Sequence, residues 1–421
     1  MTTSDRRRTV ACTVAAVVAA ALTWRFAQRP GDFAGYVLVG ELGLTGGDIY
    51  RDAPPHTSTW PPLFALLCIP IAALARVSLV GTRLLWLLAN WAVLALALGA
   101  VVRLVYDRTL SITKPPPDSA DRIDIASSAV LLPLLLCWRW ALSNFEHLQV
   151  NILIFALTAA GLLFHRRGRD ARAGLLIGAA AALKVMPILF APYFAWRRQW
   201  RAAAFTALAA IAWSLIPVAV YGWGAYVDQL RGWQETVRVG WTVGKMNISV
   251  FAMLDRMVGH HLVPFTVPGY NELTPSGSPA VGLALAGSLA IVAGLGLWLF
   301  RGPYDSARRA TMAEWCTVVL VASLFGTVAW KAYLVVLLLP MALFVATWRD
   351  PSVEPAFGAR LRALTWLAFA LGMLANDDLV GQRLAWRLEM GSLLTIMALL
   401  ILGTLFWYRR RVSSSDAELQ P

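Results

Sequence analysis

The chain has 421 residues, of which 58% are hydrophobic and only 14% charged, with a mean hydropathy of +0.61. Soluble domains carry about 25% charged residues, so this composition excludes an ordinary soluble protein and points to an all-α, polytopic helical membrane protein. The net charge of +13 and pI near 10.1 do not call for nucleic acid, because the basic residues sit in short loops between apolar runs, where the positive-inside bias and anionic lipid account for them.

Taken in order, Arg6-Arg7-Arg8 precede an apolar first helix over about 9–28. An uncleaved helix explains the loop after it better than a signal peptide does. The polar stretch 29–62 follows, with Asp32, Glu41, Asp48 and Asp52. Within the loop 29–78, residues 61–75 are apolar but too short for a confident span, and read as an interfacial or re-entrant helix. Further spans are expected over about 80–103, 126–141 and 149–165. Two short limbs, 174–183 and 187–196, flank Lys184, because Pro187 forbids one continuous helix. A span over about 203–221 leads to a long segment, 222–279, expected outside. The last spans fall at about 280–300, 311–329, 334–348, 362–376 and 391–408. This gives about twelve spans with both ends inside, in one membrane domain over 1–421. The first loop is expected to be long and to face out. Nineteen Trp, many at span ends, suit an interfacial belt. Cys12, Cys68, Cys137 and Cys316 all lie in apolar sequence and read as packing residues.

Only four of the 37 basic residues are lysines. Lys114 falls in an inner loop, whereas Lys184, Lys245 and Lys331 fall on the expected outer side. A lysine set in apolar sequence costs about 2.5–3.5 kcal/mol on insertion scales, and its compact ammonium suits a phosphate. A snorkelling lysine is the plain alternative. His56 and His147 have no spacing that resembles a dedicated zinc site. No cofactor is expected, and divalent-metal dependence stays open. No Gly-rich phosphate loop follows a strand.

Several short motifs stand in order between the spans: Asp32-Phe33 with Tyr36, Gly47-Asp48-Ile49-Tyr50, Pro61-Pro62-Leu63, Gln149-Val150-Asn151, Gly174 through Lys184 with Pro187, Asn247 with Ser249, and Trp330-Lys331 with Leu339-Pro340. Together, from about 28 to 345, the chain resembles glycosyltransferase family 87, integral membrane enzymes of the GT-C superfamily that use polyprenyl-phosphate mannose. Ile248 and Tyr333 depart from the family pattern, which commonly has Gln and His there. The resemblance implies inverting mannosyl transfer to an outer-face glycolipid or glycan, with Asp32 as general base, at a bacterial plasma membrane. Lys184, Lys331 and Arg256 are the expected donor-phosphate ligands. Tyr36, Asp48, Tyr50, Gln149, Asn151, Asn247 and Tyr333 are the expected substrate contacts. Bottom-up chemistry agrees: phosphate is already a good leaving group, so the reaction needs a base for the acceptor hydroxyl and a cation for the phosphate, and no general acid. Transfer of another sugar, such as arabinose or glucose, from the same carrier stays open. So do transfer of a whole lipid-linked glycan, a transporter or flippase, and a membrane scaffold.

Overall fold

A computed structural model describes residues 3–53, 59–116, 119–238, 242–261, 273–302, 304–306 and 308–418. His56 lies outside them. The architecture is all-α. Helix α1 (Thr3–Ala27) is followed by α2 (Phe33–Thr45), α3 (Pro62–Val77) and α4 (Leu79–Tyr106). A small parallel pair, β1 (Thr109–Ser111) with β2 (Arg122–Asp124), closes the next loop. Then come α5 (Ser128–Glu146), α6 (Asn151–Arg166) and α7 (Asp170–Leu183), a 3₁₀ turn Met186–Leu189, α8 (Phe190–Trp196), α9 (Trp200–Ser214) and α10 (Ile216–Arg238). The second half holds α11 (Val250–Leu254), α12 (Pro279–Leu299), α13 (Arg309–Leu324), a 3₁₀ segment Lys331–Leu337 running into α14 (Leu338–Trp348), α15 (Pro355–Leu374), α16 (Asp377–Val380), α17 (Gln382–Met390) and α18 (Leu393–Glu418).

Among the described residues six helices are long and apolar enough to cross a bilayer, or seven if the pair α9 and α10, bent by 64°, counts as one span. The expected count of twelve is not reached on length, because α6, α7 and α13 run only 14 to 16 residues, short of the roughly 20 that span hydrocarbon. The structure differs from expectation at two further places. The stretch 29–62 is not all loop but contains α2, and the segment 222–279 opens with the second part of α10, which kinks at Gly222. The helix 62–77 and the two limbs on either side of Lys184 stand where the sequence puts them.

Small residues set the tightest contacts. Gly174 and Gly178 lie four apart on one face of α7, as in close-packed membrane helices. A Cβ on either would come within 2.5–2.6 Å of α9, at Phe205 or Ala210. Gly40 plays the same part between α2 and α3, where it lies against the Cys68 carbonyl. Cys68, Cys137 and Cys316 are buried free thiols.

Charge sorts the helices to two ends. At one end Glu314, fully buried on α13, accepts from Arg409 Nε at 2.8 Å and Tyr193 Oη at 2.8 Å and pairs with Arg197 Nε at 3.1 Å. His165 bridges Asp170 and Tyr304 there, both at 2.7 Å, and Arg309 pairs with Asp350. The loops expected inside thus gather together. Helix α4, about 42 Å long at 1.5 Å per residue, runs from this end to the other. Near its far end Trp86 Nε1 donates to the Leu148 carbonyl at 3.0 Å.

At that far end three segments of the second half are tied into a cap. Asn247, fully buried, donates to the Thr327 carbonyl at 3.0 Å and accepts from the Ser249 and Ala329 amides at 3.1 Å. Arg256 donates to the carbonyls of Val243, Gly244 and Asn247 at 2.7–3.1 Å and to Ser392 Oγ. Thr395 Oγ1 donates to the Ile248 carbonyl at 3.0 Å.

Candidate active site

Asp32 sits in the turn between α1 and α2. Its amide donates to the His147 carbonyl at 3.0 Å. Gly31 before it has φ +48°, and a Cβ there would lie 2.8 Å from the same carbonyl. A side chain at 31 would suffer both left-handed strain and a clash with backbone. Close approach of this turn to the α5–α6 connection therefore fixes where the carboxylate stands.

The α5–α6 connection supplies its partners. Gln149 Nε2 donates to Asp32 Oδ2. Asn151 Nδ2 donates to Gln149 Oε1 at 3.1 Å and to Asn144 Oδ1 at 3.2 Å, and Asn151 Oδ1 accepts from Lys184 Nζ. Asn144 Nδ2 in turn donates to the Trp140 and Ala332 carbonyls at 2.8–2.9 Å. The amide orientations follow from the charges. Lys184 has only donors, so Asn151 must turn its oxygen to it and its NH₂ to Gln149, which then presents its own NH₂ to the carboxylate. The Asp32 carboxylate and the Lys184 ammonium are thus joined through two side-chain amides. Lys184 Nζ also lies 3.5 Å from the centre of the Tyr333 ring, a cation–π contact.

Both charged groups lie in turns, outside the spans. Loss of water by burial pushes the Asp32 carboxyl above the ordinary carboxylate range, against opposing pulls from His147, Lys184 and the Gln149 hydrogen bond. Burial likewise lowers the Lys184 ammonium to about 7, with Asp32 partly offsetting it. A carboxylate that holds a raised proton affinity beside a cation is the arrangement a general base needs. Arg29, the neighbour best placed in sequence to neutralise Asp32, pairs instead with Glu146 at 3.0 Å.

An apolar cleft leaves this site between the helices. It is small, about 30 Å³, and Asn151 and Tyr333 line it together with Ile154, Phe155, Phe190 and Val319. Beside it Tyr36, fully buried on α2, packs among Phe33, Trp60, Phe64 and Trp86, with its hydroxyl towards the Val150 amide.

The structure thus brings together Asp32, Tyr36, Gln149, Asn151, Lys184 and Tyr333. The other expected site residues have different partners. Asp48 Oδ1 accepts from the Tyr50 and Arg51 amides at 2.9–3.0 Å, which closes the turn after α2. Tyr50 Oη donates to the Trp60 carbonyl at 2.8 Å. Arg256 and Asn247 hold the cap together, as described above. Lys331 forms an ion pair with Glu389, both largely buried. Glu389 is absent from the sequence reading; its signal was a Trp and three carboxylates in the short polar stretch 377–389. Glu314 was missed because a lone Glu inside an apolar run gives no hint of its two arginine partners.

The model of Glycosyltransferase family 87 matches residues 59–327. The chain belongs to glycosyltransferase family 87. The match covers most of the chain but stops short of Asp32 on one side and of Lys331 and Tyr333 on the other, so it is narrower than the motif resemblance. The chain is 29% identical over 326 residues to a polyprenol-phosphate-mannose-dependent alpha-(1-2)-phosphatidylinositol mannoside mannosyltransferase of Mycolicibacterium smegmatis, covering 72% of this chain and 67% of that protein. It is 29% identical over 324 residues to the Mycobacterium tuberculosis protein of the same description, covering 74% and 68%. A pentamannoside mannosyltransferase of Mycobacterium tuberculosis is 26% identical over 334 residues, covering 78% and 67%. No solved structure matches. Family 87 membership and the long apolar helices make this an integral membrane glycosyltransferase.

Proposed function

We propose that the protein transfers a mannosyl group from a polyprenyl-phosphate donor to a hydroxyl of a glycolipid or glycan, with inversion, on the outer face of a bacterial plasma membrane. The observation that carries this reading is the hydrogen-bonded line Asp32–Gln149–Asn151–Lys184, which joins a carboxylate and an ammonium through two side-chain amides. Asp32 takes the proton from the acceptor hydroxyl. The acceptor oxygen forms its bond to the anomeric carbon from the face opposite the phosphate. The bond from that carbon to the phosphate oxygen breaks, and its electron pair leaves with the polyprenyl phosphate. Lys184 stabilises the charge that gathers there. Gln149 keeps one carboxylate oxygen occupied and so orients the other towards the acceptor. Lys331 is held in an ion pair with Glu389, so this reading assigns the phosphate to Lys184.

The names of the relatives supply the donor and the mannose, and their acceptor is a phosphatidylinositol mannoside; a glycolipid of that kind is the first to try. The test is to incubate membranes that contain the protein with radiolabelled polyprenyl-phosphate mannose. Label should move into an extractable glycolipid. If label moves only from polyprenyl-phosphate arabinose or glucose, the sugar assignment fails. If none moves from any such donor, the transfer reading fails.

A further inference from the structure

The cap carries a second group of polar side chains that the chemistry above does not use. Lys331 meets Glu389, whose side chain is about 1% exposed. Lys245 Nζ lies 3.0 Å from the centre of the Trp386 ring. Lys245 is also within electrostatic reach of Glu389, Asp377 and Lys331. Asp377 Oδ1 is shielded from solvent and has no hydrogen-bond donor on it among the described residues. Trp386 itself is half-buried on α17. Arg256 and Asn247 brace this group from behind by fixing the loops that carry it.

Charge balance says what such a group can hold. Two ammonium groups face two carboxylates, so the cluster has no net charge with which to draw in a phosphate. Each ammonium only donates and each ionised carboxylate only accepts. A ligand that satisfies both must donate and accept at closely spaced points, which is what the hydroxyls of a neutral sugar do. Lys245 covers one face of the Trp386 indole; the opposite face offers negative potential to the weakly positive C–H bonds of a pyranose ring.

Position gives the second argument. The strip Lys331-Ala332-Tyr333 is shared between the two sites. Tyr333 lies against Lys184, the Ala332 carbonyl accepts from Asn144 at 2.9 Å, and Lys331 meets Glu389. A 3₁₀ segment rises about 2 Å per residue, so the cluster begins within about 4 Å, along the axis, of the residue that touches the catalytic lysine. A sugar held there is next to a hydroxyl at Asp32.

We propose that Trp386, Lys245, Asp377, Glu389 and Lys331 form a saccharide subsite that receives the acceptor's glycan next to the reacting hydroxyl. The ligand's role as acceptor rests on the glycosyl-transfer reading; the sugar-binding claim stands on the cluster alone.

The test uses the full chain in lipid nanodiscs with a soluble methyl α-mannobioside and no donor. Saturation-transfer NMR should detect the sugar on the unmodified protein and on Asp32→Asn. Signal should fall at least tenfold on Trp386→Ala and return in large part on Trp386→Phe. Inorganic phosphate at the same concentration should not displace the sugar. In turnover assays, Trp386→Ala should raise the acceptor KM at least tenfold and leave the donor KM within twofold. Absence of sugar binding to the unmodified protein, an unchanged signal on Trp386→Ala, or displacement by phosphate would each overturn the subsite. Failure of the transferase reading is separate: the unmodified protein would bind the sugar and transfer nothing. Trp386 is chosen over Glu389 because its loss removes a ring contact from Lys245 and leaves the Lys331–Glu389 ion pair intact, and Trp386→Phe restores an aromatic face.

Discussion

At the scale of the residue, two carboxylates of the first polar stretch compete for the role of base, and their surroundings separate them. Asp48 is occupied by the amides of its own turn. Asp32 faces Gln149 and lies in the field of Lys184. Asp32→Asn should therefore lower turnover by roughly 10²–10⁴-fold, the range for loss of a general base, with donor binding retained. Asp48→Asn, which keeps its oxygen acceptor, should change turnover little. Near-full activity in Asp32→Asn, measured side by side with Asp48→Asn, would remove the base assignment. The two proton affinities make a second forecast. The base must be ionised, so the rate falls as pH drops through the Asp32 pKa, and that limb lies above the usual carboxylate range because burial raises it. The cation must be protonated, so the rate also falls as pH rises past about 7, where Lys184 titrates. A plot of kcat/KM against pH should be bell-shaped. In Lys184→Arg the alkaline limb should vanish while the acid limb stays, because a guanidinium keeps its charge. An alkaline limb that persists unchanged would assign it to another group. Asp32 and Lys184 could be picked out from the sequence because each is a charge set beside an apolar helix. The two amides between them could not, since nothing in Gln-Val-Asn fixes where a residue 33 positions later in the chain will put its ammonium.

At the scale of the element, the helices were legible because each is an apolar run closed by arginines or prolines, and Pro187 marked the break that leaves Lys184 in a turn. Helix α2 was not legible. Its sequence, rich in Gly and Val and bracketed by acids, reads as loop until it meets α3, and burial of Phe33, Tyr36 and Val39 against neighbours then holds it as helix. The contact between α7 and α9 permits a direct check. Leucine at Gly178 would drive its Cβ into the backbone at Ala209 and Ala210. Overpacking of this kind costs about 1–3 kcal/mol and forces backbone shifts. Because α7 ends at Lys184, Gly178→Leu should lower both the thermal midpoint and donor affinity, read by a melting curve in detergent and by the donor KM. A normal melting curve with a normal donor KM would mean that α7 is free to move away from α9 without disturbing the site.

For the whole molecule, the sorting of charge was visible in advance, and the ion pairs that carry it were not. Basic loops separated by whole helices in the sequence meet around Glu314, Asp170 and Asp350 at one end, while Asp32 and Lys184 lie at the other. On the positive-inside bias we propose that the Glu314 end faces the cytoplasm. Single cysteines introduced at Asp52 and Arg169 should react with a membrane-impermeant thiol reagent from opposite sides of the membrane. Labelling of both from one side would overturn the sidedness proposed for the reaction. The number of spans is the part least readable at this scale. Helices of 14 to 16 residues do not declare by length whether they cross, tilt or stop inside the protein.

The contact between Lys184 and its amide neighbour has a consequence for the end of the catalytic cycle. The donor is a phosphodiester with one negative charge. The departing polyprenyl phosphate is a monoester that tends towards two, its second pKa being about 6. Burial alone lowers the Lys184 ammonium to about 7, and an anion beside it raises that value again, a dianion more than a monoanion. On the proposed reading, binding of polyprenyl phosphate near neutral pH therefore takes up a proton at this lysine. The product is held more tightly than the donor for that reason, and inhibition by added polyprenyl phosphate should weaken as pH rises past 7.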